Sequence, residues 1–178
     1  MTARGTDAEL RAELRLTSGI TVLTGGQTGV DTLAARAALA AGLPVHVVFP
    51  RGFRQEDGPL TPERRAGLRG AVLHELASTG FAPRTRACVR LADAVLLFDP
   101  AGGAGCEETV RVAGLLGRPL LDLTGSGAAG PAVLSFIRDN RAQVLMFAGC
   151  RGSQLAGQID VVRAQVEQVA AALRECGE

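Results

Sequence analysis

Five short apolar runs, each released into a loop and then a helical stretch, constrain this chain more than any other feature of its sequence. They lie at 20–23, 44–49, 94–98, 120–123 and 143–148. Strands that alternate apolar and polar side chains belong to sheets with one wet face. Near-continuous apolar strands belong to parallel sheets covered on both faces by helices. Between the runs, 30–41 (closed by Gly42), 62–78 (with Pro62 in its first turn), 85–92, 106–116, 131–139 and 158–176 read as helices. The expectation is an α/β fold: a single doubly wound, Rossmann-like domain over 19–178. Its five-stranded parallel sheet has order 2-1-3-4-5 and helices on both faces, preceded by an arm or short helix over 1–18. That order places the loops after strands one and three together at the topological switch point, where such sheets bind ligands.

The charge balance narrows the function classes. With 19 basic and 18 acidic side chains the net charge is +1, which argues against nucleic acid or a membrane surface as partner. All 19 basic residues are arginine. A Walker A loop and Schiff-base or pyridoxal phosphate chemistry both need lysine, so both are excluded. Anions must be bound by backbone amides, helix N-termini or arginine. No run approaches the ~18 apolar residues of a membrane span. The N-terminus shows no apolar export segment, so a cytoplasmic chain with free thiols is expected. Cys88, Cys106, Cys150 and Cys176 have no C-x-x-C spacing, which argues against a structural metal.

Three loops follow strands and carry the chemistry. The first, Gly25-Gly26-Gln27-Thr28-Gly29-Val30-Asp31, opens a helix whose first amides suit a phosphate or another oxyanion. Asp31 could equally complement the helix dipole. The second, Gly102-Gly103-Ala104-Gly105-Cys106-Glu107-Glu108-Thr109, has the same context. Glu107 and Glu108 there are either dipole partners or acid–base groups. Cys106 is either a small core residue or a thiol whose ionisation the helix N-terminus favours. The third, 50–62, is long and offers Arg51, Arg54, Glu56 and Asp57. Arg84 and Thr85, and then Arg151 and Ser153 after the last strand, add charge and hydroxyls near the same edge. His46, inside a strand pattern, reads as a core or surface histidine, and His74 as a solvated helical residue.

The run Gly25–Asp31, Pro50-x-Gly52, Glu56-Asp57-Gly58-Pro59, Arg84-Thr85 with Asp93, and Ala148-Gly149-x-Arg151-x-Ser153 together resemble the molybdenum cofactor carrier proteins. That family is similar in fold to the DprA-like proteins and the cytokinin-activating phosphoribohydrolases, often mislabelled lysine decarboxylases. The resemblance spans about residues 20–155. It implies a homo-oligomer, dimer or tetramer, that binds a phosphorylated pterin, with molybdenum cofactor as cargo. Gly25, Gly26, Gln27, Thr28, Gly29 and Asp31 would hold the phosphate or metal oxyanion. Gly102, Gly103 and Gly105 would line the opposite wall, and Arg51, Arg84, Thr85, Arg151 and Ser153 would supply charge and hydrogen bonds. The alternatives are hydrolysis of the N-glycosidic bond of a nucleoside 5′-monophosphate, with Glu107 or Glu108 assisting, or a nucleotide-sensing module. The phosphoribohydrolase loop ends in a catalytic Glu. Here that position is Thr109, and Glu108 comes one residue early, a rotation of about 100° on a helix.

Overall fold

The apolar run Val144–Phe147 is completely covered, with each side chain no more than 1% exposed. A strand that apolar on both faces belongs in the middle of a sheet, and that requirement sets the topology. The computed structural model describes residues 7–126 and 129–175. Among them, the elements in chain order are α1 (Asp7–Glu13), β1 (Thr21–Thr24), α2 (Val30–Ala40), β2 (Val45–Phe49), β3 (Arg54–Gln55), β4 (Gly58–Pro59), α3 (Pro62–Ala66), β5 (Val72–Glu75), α4 (Phe81–Leu91), β6 (Ala94–Phe98), α5 (Ala104–Leu115), β7 (Leu120–Asp122), α6 (Ala129–Asn140), β8 (Val144–Gly149) and α7 (Ile159–Glu175).

The main sheet is parallel throughout, in the order β5-β2-β1-β8-β6-β7. It confirms the doubly wound α/β class and corrects the expected sheet in two respects. The expected order 2-1-3-4-5 fails because β8, the last strand of the chain, inserts between β1 and β6. Its registers are Val22↔Leu145 on one side and Val95↔Met146 on the other. Chain order placed this strand at an edge, where it would lack a strand neighbour on one side and leave a row of backbone groups unpaired. The edges go instead to β5 and β7, which are short and partly exposed.

The sheet also has a sixth strand where a helix over 62–78 was expected. Thr61 caps α3, its Oγ1 accepting from the Arg64 amide at 3.3 Å, but the helix stops after Ala66. Gly70 then adopts φ +102°, a left-handed turn that glycine makes at little cost. The chain emerges extended and pairs with β2, matching Val48 to His74. His74 is therefore buried, at 1% exposure, not a solvated helical residue.

Helices cover both faces. α2, α6 and α7 pack together on one side; α1, α4 and α5 pack on the other. Val162, Val166, Val169 and Leu173 form the buried stripe of α7, and α1 sends Leu10 into the core, followed by Leu14. Cys176 lies outside the described residues.

Candidate functional site

The carboxyl ends of β1, β8 and β6 lie side by side, and the loop after β8 ties the other two together. At the first loop, the Val30 amide donates to the Cys150 carbonyl at 3.1 Å. The Gly152 amide donates to Thr28 Oγ1 at 3.1 Å. On the β6 side, Gln154 Nε2 donates to the Gly102 carbonyl at 3.3 Å. The Gln154 Oε1 accepts from the Arg151 amide at 3.2 Å, so one side chain fixes both the 151–154 turn and the second glycine loop.

The first glycine loop is closed on itself. The Gln27 amide donates to Asp31 Oδ2 at 3.0 Å, and the Thr28 amide to Gln27 Oε1 at 3.0 Å. The same Gln27 oxygen accepts from the Glu56 amide at 2.7 Å, and Gln55 Nε2 donates to the Gly26 carbonyl at 2.8 Å. Asp31 is thus an internal anion at this helix start. Arg84 Nη1 donates to Asp31 Oδ2 at 3.1 Å. Burial pushes the Asp31 carboxyl up, against the pull of Arg84 and the Gln27 amide. The glycines are needed for contact within the protein. A Cβ on Gly25 would fall 1.2 Å from Arg84 Nη1, and one on Gly29 2.5 Å from the Cys150 carbonyl oxygen.

The α5 start differs. Gly103 is its N-cap and carries no side-chain cap. A Cβ on Gly102 or Gly105 would meet nothing within 4 Å. Gly105 borders a cleft of about 120 Å³ that is also lined by Gln27, Arg84, Thr85, Glu108 and Arg151. Two of these lining residues, Arg84 and Gln27, each carry a buried donor, Nε and Nε2, without a hydrogen-bond partner. Buried donors of this kind are rare, and each needs an explanation. A larger groove of about 860 Å³ lies between α2 and α7, lined by Leu33, Arg36, Arg163 and Glu167 among others. It holds no such orphaned donor and lies away from the glycine loops.

The remaining predicted residues fall into three places. Thr85 is buried beside Arg84 on α4. Arg151 stands on the rim, its guanidinium 5.2 Å from the Phe81 ring centre. Ser153 is turned to Glu56, donating Oγ at 2.5 Å and its amide at 3.1 Å, while Thr28 Oγ1 donates to the same carboxylate. Burial raises the Glu56 pKa, but these bonds and the Arg151 charge outweigh it and hold the carboxyl below its ordinary value. Arg51 is exposed and borders no part of the cleft. Glu107 is exposed as well. Glu108 reaches the cleft but is gripped by Arg111 at 2.8 Å and Arg86 at 2.8 Å. Those hydrogen bonds hold its pKa down to about 2. Thr109 is turned inward, its Oγ1 donating to the Gly105 carbonyl at 2.9 Å. Asp93 lies at the opposite, amino edge, where it accepts from the Gln143 and Val144 amides at 3.0 and 2.9 Å.

Sequence reasoning missed Phe81, Gln154 and Asp99. Phe81 sits at the start of α4, upstream of the expected helix. Gln154 carries no local signal. Asp99, the first residue past β6, accepts at Oδ1 from Cys150 Sγ at 2.8 Å. Cys106 completes that cluster: one ligand atom of each of the three residues lies within 4.8 Å of the others. Burial raises both thiol pKa values, that of Cys150 up to about 11.

Comparison with known families places the fold. Residues 22–170 match the circularly permutated YpsA SLOG family. The chain belongs to that family. Counted from β8 as strand one, then β1, β2, β5, β6 and β7, the order reads 4-3-2-1-5-6. That is a doubly wound sheet whose winding reverses between β8 and β6, and the cleft lies at the carboxyl ends of those two strands. The crystal structure of a candidate molybdenum carrier protein from Syntrophus aciditrophicus SB superposes with a TM-score of 0.74 at 22% identity, covering 86% of this chain and 95% of that one. No curated protein matches the chain significantly. Among the described residues no helix is long and apolar enough to cross a membrane.

Proposed function

We propose that this SLOG protein binds an anionic small molecule at the β8–β6 switch point and holds it without breaking a bond. The phosphorylated pterin of molybdenum cofactor is the favoured cargo. One observation carries the reading: Arg84 and Gln27 line the same cleft, and each keeps a buried donor, Nε and Nε2, without a hydrogen-bond partner. Both are donors, so the missing partner is an acceptor, and the α5 N-terminus opposite favours one that is negatively charged. The enclosed volume of about 120 Å³ is below the ~300–1,000 Å³ of pockets that bury a drug-sized ligand. It therefore takes the phosphate or oxyanion head, and the ring system lies outward along the Arg151–Phe81 rim. Gly25, Gly26, Thr28, Gly29 and Asp31 shape the inner wall and aim Gln27 and Arg84. Gly102, Gly103 and Gly105 leave room at the helix start, and Ser153 holds the 151–154 turn through Glu56. A protein named for molybdenum carriage shares the fold, and Glu108, locked between two arginines, is poorly placed as a proton donor.

Anaerobic equilibrium binding of purified molybdenum cofactor tests this. The chain has no Trp or Tyr, so its own near-ultraviolet absorption is weak and the absorbance of bound cofactor is read directly. Saturable uptake of one cofactor per chain is expected, weakened about tenfold (~1.4 kcal/mol) by Arg151→Ala. Failure to bind cofactor, molybdate or phosphate removes the reading. Release of free base from any nucleoside monophosphate sinks the claim that no bond is broken.

A further inference from the structure

Asp99, Cys106 and Cys150 come from three separate segments: the end of β6, the first turn of α5 and the end of β8. The register of the two strands brings them together. Phe98 pairs with Gly149, so the next residues, Asp99 and Cys150, stand side by side, and α5 folds back over them with Cys106. The backbone holds the group firmly. The Cys150 carbonyl accepts from Val30, its amide donates to the Phe98 carbonyl at 3.4 Å, and the Asp99 amide donates to Thr124 Oγ1 at 3.1 Å.

Two thiols and a carboxylate form a donor set without a cation. Asp99 makes no ion pair among the described residues, although arginines neutralise Glu108, Asp31 and Asp57. Cys88 stands outside this cluster: its Sγ lies 3.9 Å from the Thr24 carbonyl, beside Arg84 and Asp31. Tetrahedral zinc, with bonds of about 2.3 Å to sulfur and about 2.1 Å to oxygen, spaces its ligand atoms about 3.6–3.8 Å apart. The three donors lie within 4.8 Å of one another, so side-chain adjustments of about 1 Å suffice.

We propose that Asp99, Cys106 and Cys150 form a three-donor site for a thiophilic divalent cation of the zinc class, whose fourth position opens toward the cleft that Cys106 lines. Binding one cation displaces the two thiol protons to solvent and leaves the fourth position to water or to a ligand entering the cleft. Two thiolates with one carboxylate select zinc or cobalt(II) over magnesium and calcium, which prefer all-oxygen ligands. The site stands apart from the pterin reading, because it is assayed with metal alone.

The experiment is a cobalt(II) titration of the reduced, metal-free full chain, followed by zinc competition. A thiolate-to-cobalt charge-transfer band saturating at one equivalent is expected, displaced by zinc and unaffected by excess magnesium. Cys88→Ala should retain the band. Cys106→Ser and Cys150→Ser should abolish it, and Asp99→Asn should weaken binding at least tenfold. Circular dichroism confirms that each variant folds. If a cysteine variant does not, Asp99→Asn carries the test, since Asp99 lies at the loop start. Absence of the band in the parent protein, or a band unchanged in Asp99→Asn, overturns the proposal.

Discussion

Arg84 reaches the Asp31 carboxylate at 3.1 Å by occupying the space where a Gly25 side chain would be. The pair joins α4 on one face of the sheet to α2 on the other, over the end of β1. It also leaves Arg84 Nε buried without a hydrogen-bond partner. Removing one partner of a buried ion pair strands the other charge. Arg84→Ala should therefore destabilise the protein by about 3–5 kcal/mol in urea denaturation, and adding Asp31→Asn should recover part of the loss. A double variant that loses the sum of the two single losses would show that the two residues are not coupled.

Glycines in this chain divide into those pressed by backbone and those facing open space, and alanine should separate them. A Cβ on Gly149 would lie 2.1 Å from the Phe98 carbonyl oxygen, a main-chain atom that cannot yield without moving β6. Gly149→Ala should cost at least ~2 kcal/mol. Gly114, inside α5, has nothing within 4 Å of such a Cβ. Gly114→Ala should stabilise by about 0.5–1 kcal/mol. Thermal or chemical melts of the two variants, moving in opposite directions, are the check.

His46 Nδ1 and His74 Nε2 are 2.9 Å apart in the core. Burial, and then the neighbouring His74, hold the His46 pKa down from 6.5 to about 4, and burial lowers that of His74 as well. The unfolded chain takes up protons below pH 6.5 that the native state refuses until about 4. By linkage, stability is full above pH 6.5 and is lost as pH falls toward 4. Urea midpoints measured across that window should decline, and the decline should flatten in His46→Gln. An unchanged slope would exclude His46 as the source.

Glu108 is the residue that a hydrolase would need and a carrier would not. Its carboxylate is held ionised by Arg111 and Arg86 on the protein surface, where ion pairs contribute little to stability. Glu108→Gln should leave both the cooperative melt and cofactor retention unchanged. A large loss of retention would place Glu108 against the ligand.

Much of the edge chemistry was legible in the sequence because it follows chain-local rules. Glycine-rich loops after apolar runs, the helix starts at Val30 and near Cys106, and Arg84-Thr85 were all visible there. The short strand at Val72–Glu75 was not. Its Val-Leu-His-Glu run suits either helix or strand over so short a stretch, and only pairing with β2 settles it.

Local pattern by itself determined the α/β class, the positions of the five main strands and the loops that gather at one edge. Those depend on hydrophobic periodicity and on where glycine permits a turn. Tertiary structure decided the neighbours. Which strand sits centrally depends on burying both faces of Val144–Phe147, a condition on the whole sheet and not on chain order. Placing β8 between β1 and β6 moved the switch point. It also set Cys150 beside Asp99, with Cys106 completing a cluster that no spacing of cysteines along the chain encodes.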